Sequence, residues 1–307
     1  MSLTNFPNGI SSFGVPVMGG GGFPITTGNY YFVSSVLGSD DNDGLKATPL
    51  ATLEKALARC TADNMDVVVL MPGHAENVAG AAGISADVAG VTVFGIGNGS
   101  LRPKFTFTAT ASTFVISAAN CTFNNIAWEA GIAEVVMGLD ISAVDDLTFN
   151  DCHFTEASSM NYVIFMDLAT GCDNLTINRC KFISGDTNFD HFIVGVAHDG
   201  FFLYDSCFYS NVGQAGVVGL IETSGNVTNA EIKRCSFRSN VDGALFLDFN
   251  GTANSGVIAE CYFSSLDVAG AVAGGFDATG MHIFECYVAG EADTFGIVGG
   301  GTVYNDA

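Results

Sequence analysis

Few residues in this chain could do acid–base or metal chemistry, and their spacing limits which chemistry is open. Asp145-Asp146 is a carboxylate pair, Arg179-Cys180-Lys181 sets two cations two residues apart, and Asp40, Asp41 and Asp43 surround Asn42 and Gly44. A glycosidase needs two carboxylates at a set separation; a polysaccharide lyase needs a base and a cationic group to neutralise the substrate. From Lys104 onward the only other Lys and Arg are Arg179, Lys181, Lys233, Arg234 and Arg238, which is thin provision for holding a polyanion. Asp145 and Asp146 are read as a chain corner. His74, His153, His191, His198 and His282 have no repeated partner and are expected mostly at the surface. The Asp40–Asp43 group offers the clustered oxygens that calcium prefers, and a solvated turn explains it equally well. No catalytic residue, metal or cofactor is assigned.

Composition narrows the partners. Lys and Arg number 10 against 32 Asp and Glu, a formal charge of -22. Nucleic acid is not expected as a partner, because phosphate binding needs clustered cations. A membrane span is not expected either, since no run of about 18 apolar residues occurs. The amino terminus lacks a positive region followed by an apolar core, so no secretory leader is expected. The 9 cysteines show no CxxC spacing and are read as reduced core hydrophobes, not as disulfides or zinc ligands.

What must position these residues is a repeat. The stretch Leu147 to Phe154 returns as Leu175 to Phe182, Phe202 to Tyr209, Ala230 to Phe237, Gly256 to Phe263 and Met281 to Val288. Cys152, Cys180, Cys207, Cys235, Cys261 and Cys286 mark the copies, about 27 residues apart, and are expected in one inward row. Apolar residues stand three before and two after each cysteine, as Phe149 and Phe154 do around Cys152. Apolar spacing of two means strand, and its return once per period means stacking. The break in alternation before each cysteine reads as a corner. The fold class is therefore all-β, a single-stranded parallel β-helix of about eight or nine coils. Upstream, Phe123, Ile126 and Trp128 continue the pattern, preceded by Val93 and Ile96.

Residues 30–65 open the fold with Tyr30-Tyr31-Phe32-Val33, the Asp-rich turn and an amphipathic helix. Leu53, Ala56, Leu57 and Cys60 share one helical face, with Thr52 as N-cap. This helix is expected to cover the first coil of a β-helix spanning 66–307. The order YYFV, GSDDNDG, TPLATLEKALA and a strand ending in Met71-Pro72-Gly73 resembles the opening of right-handed parallel β-helix proteins of the pectate-lyase-like group, which includes many phage virion proteins. The resemblance implies the fold and the handedness; enzymes and structural proteins share it. The polygalacturonase branch carries NxD, DD, HG and RxK in that order. Here Asp199 separates His198 from Gly200, the RxK-like Arg179-Cys180-Lys181 comes first, and no NxD precedes Asp145-Asp146, so no catalytic residue is carried over.

Residues 1–29 contain no Asp, Glu, Lys or Arg. With Phe6, Ile10, Phe13, Val15, Val17 and Phe23 among Gly, Pro and Ser, they are expected to form an extended arm that lies on another protein. A second expectation concerns apolar runs at one point of successive coils. Tyr162, Ile164 and Met166, then Phe192 and Val194, then Val218 and Leu220 lie in runs whose two faces are both apolar, which predicts a self-association wall and a homotrimer. Together these features point to a phage virion structural protein, made in the host cytoplasm and placed on the capsid surface. There it would be a trimeric decoration or cement protein anchored on the major capsid protein or another virion protein. The alternative is a tailspike-like protein that binds or degrades a surface glycan, with Tyr262 and Tyr287 as outward positions in adjacent coils able to stack on sugar rings.

Overall fold

A computed structural model describes residues 11–12, 15–16, 24–156, 159–185, 190–210, 219–239, 245–265, 275–277, 279–289, 296–298 and 302–304. Of the arm residues named above, Phe6, Ile10, Phe13, Val17 and Phe23 lie outside this set, as does Val218. Val15 falls in a short antiparallel pair, Ser11–Ser12 with Val15–Pro16.

The chain coils into a right-handed parallel β-helix with three walls. The first wall has 11 strands, from Tyr30–Val33 to Thr302–Tyr304; the second, Ala75–Val78 to Tyr287–Ala289, and the third, Ile84–Ala86 to Gly296–Val298, have 9 each. Successive coils align residue for residue, as in Phe123 with Phe149 and Trp128 with Phe154. Like side chains therefore stack inside. On the second wall Trp128, Phe154, Phe182, Phe208, Phe237 and Phe263 form a column with ring centroids 4.4–4.9 Å apart and nearly parallel planes. Each contact adds about 0.5–1.5 kcal/mol beyond burial.

The corner from first to second wall takes two residues per coil, and its first residue is left-handed. Asp151, Arg179, Asp205, Arg234, Glu260 and Glu285 have φ of 50–55°. Such a conformation costs a non-glycine residue about 1–2 kcal/mol. It is offset because the corner N–H of Asp151, Arg179, Asp205, Arg234 and Glu260 bonds the coil above, as Asp151 N does to Asn178 O and Arg179 N to Tyr204 O, both at 3.0 Å. The residue after the corner points inward, and Cys152, Cys180, Cys235 and Cys261 are buried there. Burial pushes the Cys152 thiol well up. Cys207 departs from the expected row: it pairs with Lys181 and Ser236 on the outer face, and Ser206, 1% exposed, takes the inward place. A one-residue offset moves every side chain of that copy to the other face, so Leu203 and Phe208 are inward and Tyr204 and Tyr209 are not.

The helix is shorter than expected, Leu53–Leu57, with Thr52 accepting from Lys55 N at 3.3 Å. Leu53, Ala56 and Leu57 are buried on the first strands of the first and third walls. Asp66, fully buried, anchors this end: its carboxylate accepts from Thr61 N at 2.7 Å, Asn29 N at 2.6 Å and Asn64 Nδ2 at 2.9 Å.

Candidate functional site

Several residues singled out for chemistry turn out to hold the backbone. Asp40 accepts from Ala51 N at 2.9 Å and Thr52 N at 3.0 Å, fastening the loop before the helix. Asp43 accepts from Thr48 Oγ1, and this bond holds its carboxyl below the usual range. Among the described residues no group of three or more His, Cys, Asp or Glu is disposed to hold a metal ion. Asp145 and Asp146 lie at the corner leading into the first wall, where Asp146 has φ of 58° and accepts from Asn174 Nδ2 at 3.1 Å. Arg179 and Arg234 are held by bidentate bonds at 2.8–2.9 Å to Asp151 and Asp205 of the coil below.

Two histidines correct the surface expectation. His74 is buried, with Nδ1 accepting from Ser35 N at 3.0 Å and Nε2 3.2 Å from Glu76, which in turn accepts from Leu53 N. His198 is buried at another corner, its Nδ1 3.2 Å from Cys172 O and its Nε2 without a hydrogen-bond partner. Burial lowers its pKa. In both, the ring faces inward because a corner carbonyl or amide needs a partner there.

The expected self-association wall is corrected too. Tyr162, Met166, Phe192 and Leu220 are buried within the single chain; Ile164 and Val194 are half-buried on its outside. The reason is that in these third-wall strands two consecutive side chains face inward. Phe165 with Met166, Phe192 with Ile193 and Leu220 with Ile221 are all buried, and Phe165 touches the rings of Phe154 and Phe182 in the interior. These continuous apolar runs therefore need no partner for their burial.

What the third wall presents outward is acidic. Asp140, Asp167, Val194, Glu222 and Asp248 form one register column, which Asp277 continues; Asp140, Asp167 and Glu222 are half-buried, and Asp248 is buried. Strand spacing places neighbours about 4.8 Å apart. Burial, and then the charge of Asp140, raise the Asp167 pKa. His191 stands 3.7 Å from Glu222. Sequence reading missed this column because each carboxylate sits singly in an apolar strand; only stacking joins them.

The second wall is its opposite. Its outer columns carry Lys104, His153, Lys181, Cys207, Ser236, Tyr262 and Tyr287, and beside them Glu129, Ile183, Tyr209 and Arg238. Lys104 is paired with Glu129 at 2.8 Å. Tyr262 and Tyr287 are in register one coil apart, 45% and 72% exposed. These are the outward positions expected of them. His153 is half-buried, and burial, with Arg102 and Lys181 nearby, lowers its pKa to about 4. The imidazole is thus neutral at neutral pH.

No family model matches the chain, and no curated protein does. Among solved structures it is similar to a rhamnogalacturonan lyase, with a TM-score of 0.54 and 13% identity over 84% of this chain and 73% of the other. The chain shares that protein's parallel β-helix fold. A GH136 lacto-N-biosidase from Eubacterium ramulus aligns at a TM-score of 0.41 and 13% identity, over 90% of this chain and 66% of the other. At such identity the first likeness establishes the fold alone.

Proposed function

We propose that the protein is a polysaccharide-binding β-helix whose ligand lies along the outer face of the second wall. The observation that carries this reading is the pair Tyr262 and Tyr287, exposed, outward and in register. Two tyrosines on adjacent strands, whose backbones lie about 4.8 Å apart, offer a platform that follows the helix axis. Aromatic faces of this kind take the apolar faces of sugar rings, while the neighbouring polar side chains take hydroxyls. The fold shared with a rhamnogalacturonan lyase is consistent with a glycan ligand. The only carboxylate named on this face, Glu129, is ion-paired to Lys104, so the second wall is proposed to bind and not to cleave.

Titration with a panel of oligosaccharides tests this. Binding by at least one of them, weakened in Tyr287→Ala, is the expected result; no binding across the panel overturns the reading.

A second reading has its own observation. Asp140 and Asp167 occupy adjacent rungs of the third wall, a separation near the roughly 5–5.5 Å that places an acid and a nucleophile in retaining glycosidases. The raised pKa of Asp167 suits an acid. Release of reducing ends from a glycan, abolished in Asp167→Asn, would establish it; an unchanged rate in the variant would dismiss it. The virion reading rests on the arm, most of which lies outside the described residues, and its trimer on the apolar runs of the third wall.

A further inference from the structure

We propose that Arg102, His153 and Lys181 form an anion-binding subsite midway along the second wall, recognising a carboxylate or sulfate group carried on the sugar chain. The inference rests on the glycan-binding reading and adds the chemical class of its ligand.

In a chain with 32 carboxylates and 10 cations, every Lys or Arg of the coils has acidic groups to choose from. Lys104, Arg179, Lys233 and Arg234 are each paired with one. Arg102 and Lys181 are not, among the described residues. Arg102 instead reaches across two coils to the backbone oxygen of Asp151. The rung it passes is Ala127, which separates Lys104 from His153 in the same outer column. Arg102 is thereby brought to His153, and Lys181 is the next residue of that column. Burial first, and then the charges of Arg102 and Lys181, lower the pKa of the imidazole.

Two cations and an imidazole thus neighbour one another on the outer face, Arg102 and His153 half-buried and Lys181 exposed. Asp151 also faces this spot, and its carboxylate is occupied by both arms of the Arg179 fork. Unneutralised like charges held together cost stability, and an anion placed between them removes that cost. The subsite is three rungs below Tyr262, about 14 Å along the axis. A single extended sugar chain therefore reaches the tyrosine platform and the cations together. The third wall, with its carboxylate column, repels the same ligand.

The test combines ligand titration with the NMR titration of His153 in the full chain. The probes are an oligomer of uronic acid, its carboxyl-reduced neutral counterpart and inorganic sulfate. The uronic acid oligomer is expected to bind about tenfold more tightly than the neutral one, and to lose about tenfold in Lys181→Gln and in Arg102→Gln. It is also expected to move the His153 midpoint upward from about 4, which a purely structural role for Lys181 would not do. Equal affinity for both oligomers with an unmoved His153 overturns the anion subsite and leaves the glycan reading intact. A sulfate-induced rise of the His153 midpoint without binding of either oligomer supports an anion site and removes the glycan reading. No binding and no shift removes both.

Discussion

The second and third walls share one aromatic interior and present opposite chemistry to solvent. Inside, Phe182 of the second wall touches Phe192 of the third. Outside, one wall offers Lys181, Arg238, Tyr262 and Tyr287, and the other Asp140, Asp167 and Glu222. The difference teaches where freedom lies in a solenoid. Inward positions must match the coils above and below, so their types repeat. Outward positions answer to solvent and ligand only, so charge can be sorted by wall.

The largest way to break the comparison is to remove what both walls share. Phe182→Ala takes a fully buried ring out of the stack and is expected to cost about 3–5 kcal/mol in denaturant unfolding. A loss below about 1 kcal/mol would mean the stack does not hold the walls together.

Next in size is acid. His153 and His198 both have pKa values below the ordinary histidine range, His153 at about 4. The unfolded chain takes up protons at these sites as pH falls through about 6.5, and the folded chain does not. Stability present above pH 6.5 is therefore lost between there and about 4. His153→Gln should remove about 1–2 kcal/mol of that loss, after solvent screening, in unfolding curves at pH 7 and 4.5. Equal slopes for both proteins would show that His153 is not held neutral.

Tyr287→Ala sharpens the contrast between binding and stability. It should cost about 0.5–1.5 kcal/mol in glycan affinity while changing unfolding by less than about 0.5 kcal/mol, as an exposed side chain would. Smallest is Asp167→Asn on the third wall. The Asp167 pKa is raised in the folded chain, so ionisation at neutral pH works against folding. The variant should be more stable at pH 7 by less than about 1 kcal/mol, and the gain should vanish at pH 3, where the wild-type carboxyl is protonated too. A loss at pH 7 would mean that the carboxylate is stabilised by a partner.

Much of the interior was legible in the sequence. Phe149, Cys152 and Phe154 return with a fixed period, and that period is the coil. The errors arose where a local rule was broken by one residue. Cys207 lies outside the inward row because its coil aligns Leu175 with Phe201, which puts Ser206 and not Cys207 at the place of Cys180. The run Tyr162 to Met166 reads as apolar on both faces, yet the strand buries the consecutive Phe165 and Met166 together. Tyr262 and Tyr287 were found because they sit side by side in the repeat. The neighbourhood of Arg102 and Asp151 was not legible, because Arg102 reaches that carbonyl only by crossing two coils.

The most direct test of the central claim, that the second wall is the ligand face, is a crystal structure of the protein with a bound oligosaccharide. The account predicts sugar rings stacked on Tyr262 and Tyr287 and running along the second wall towards Lys181. A glycan lying on the third wall beside Asp140 and Asp167, with the tyrosines bare, would contradict it.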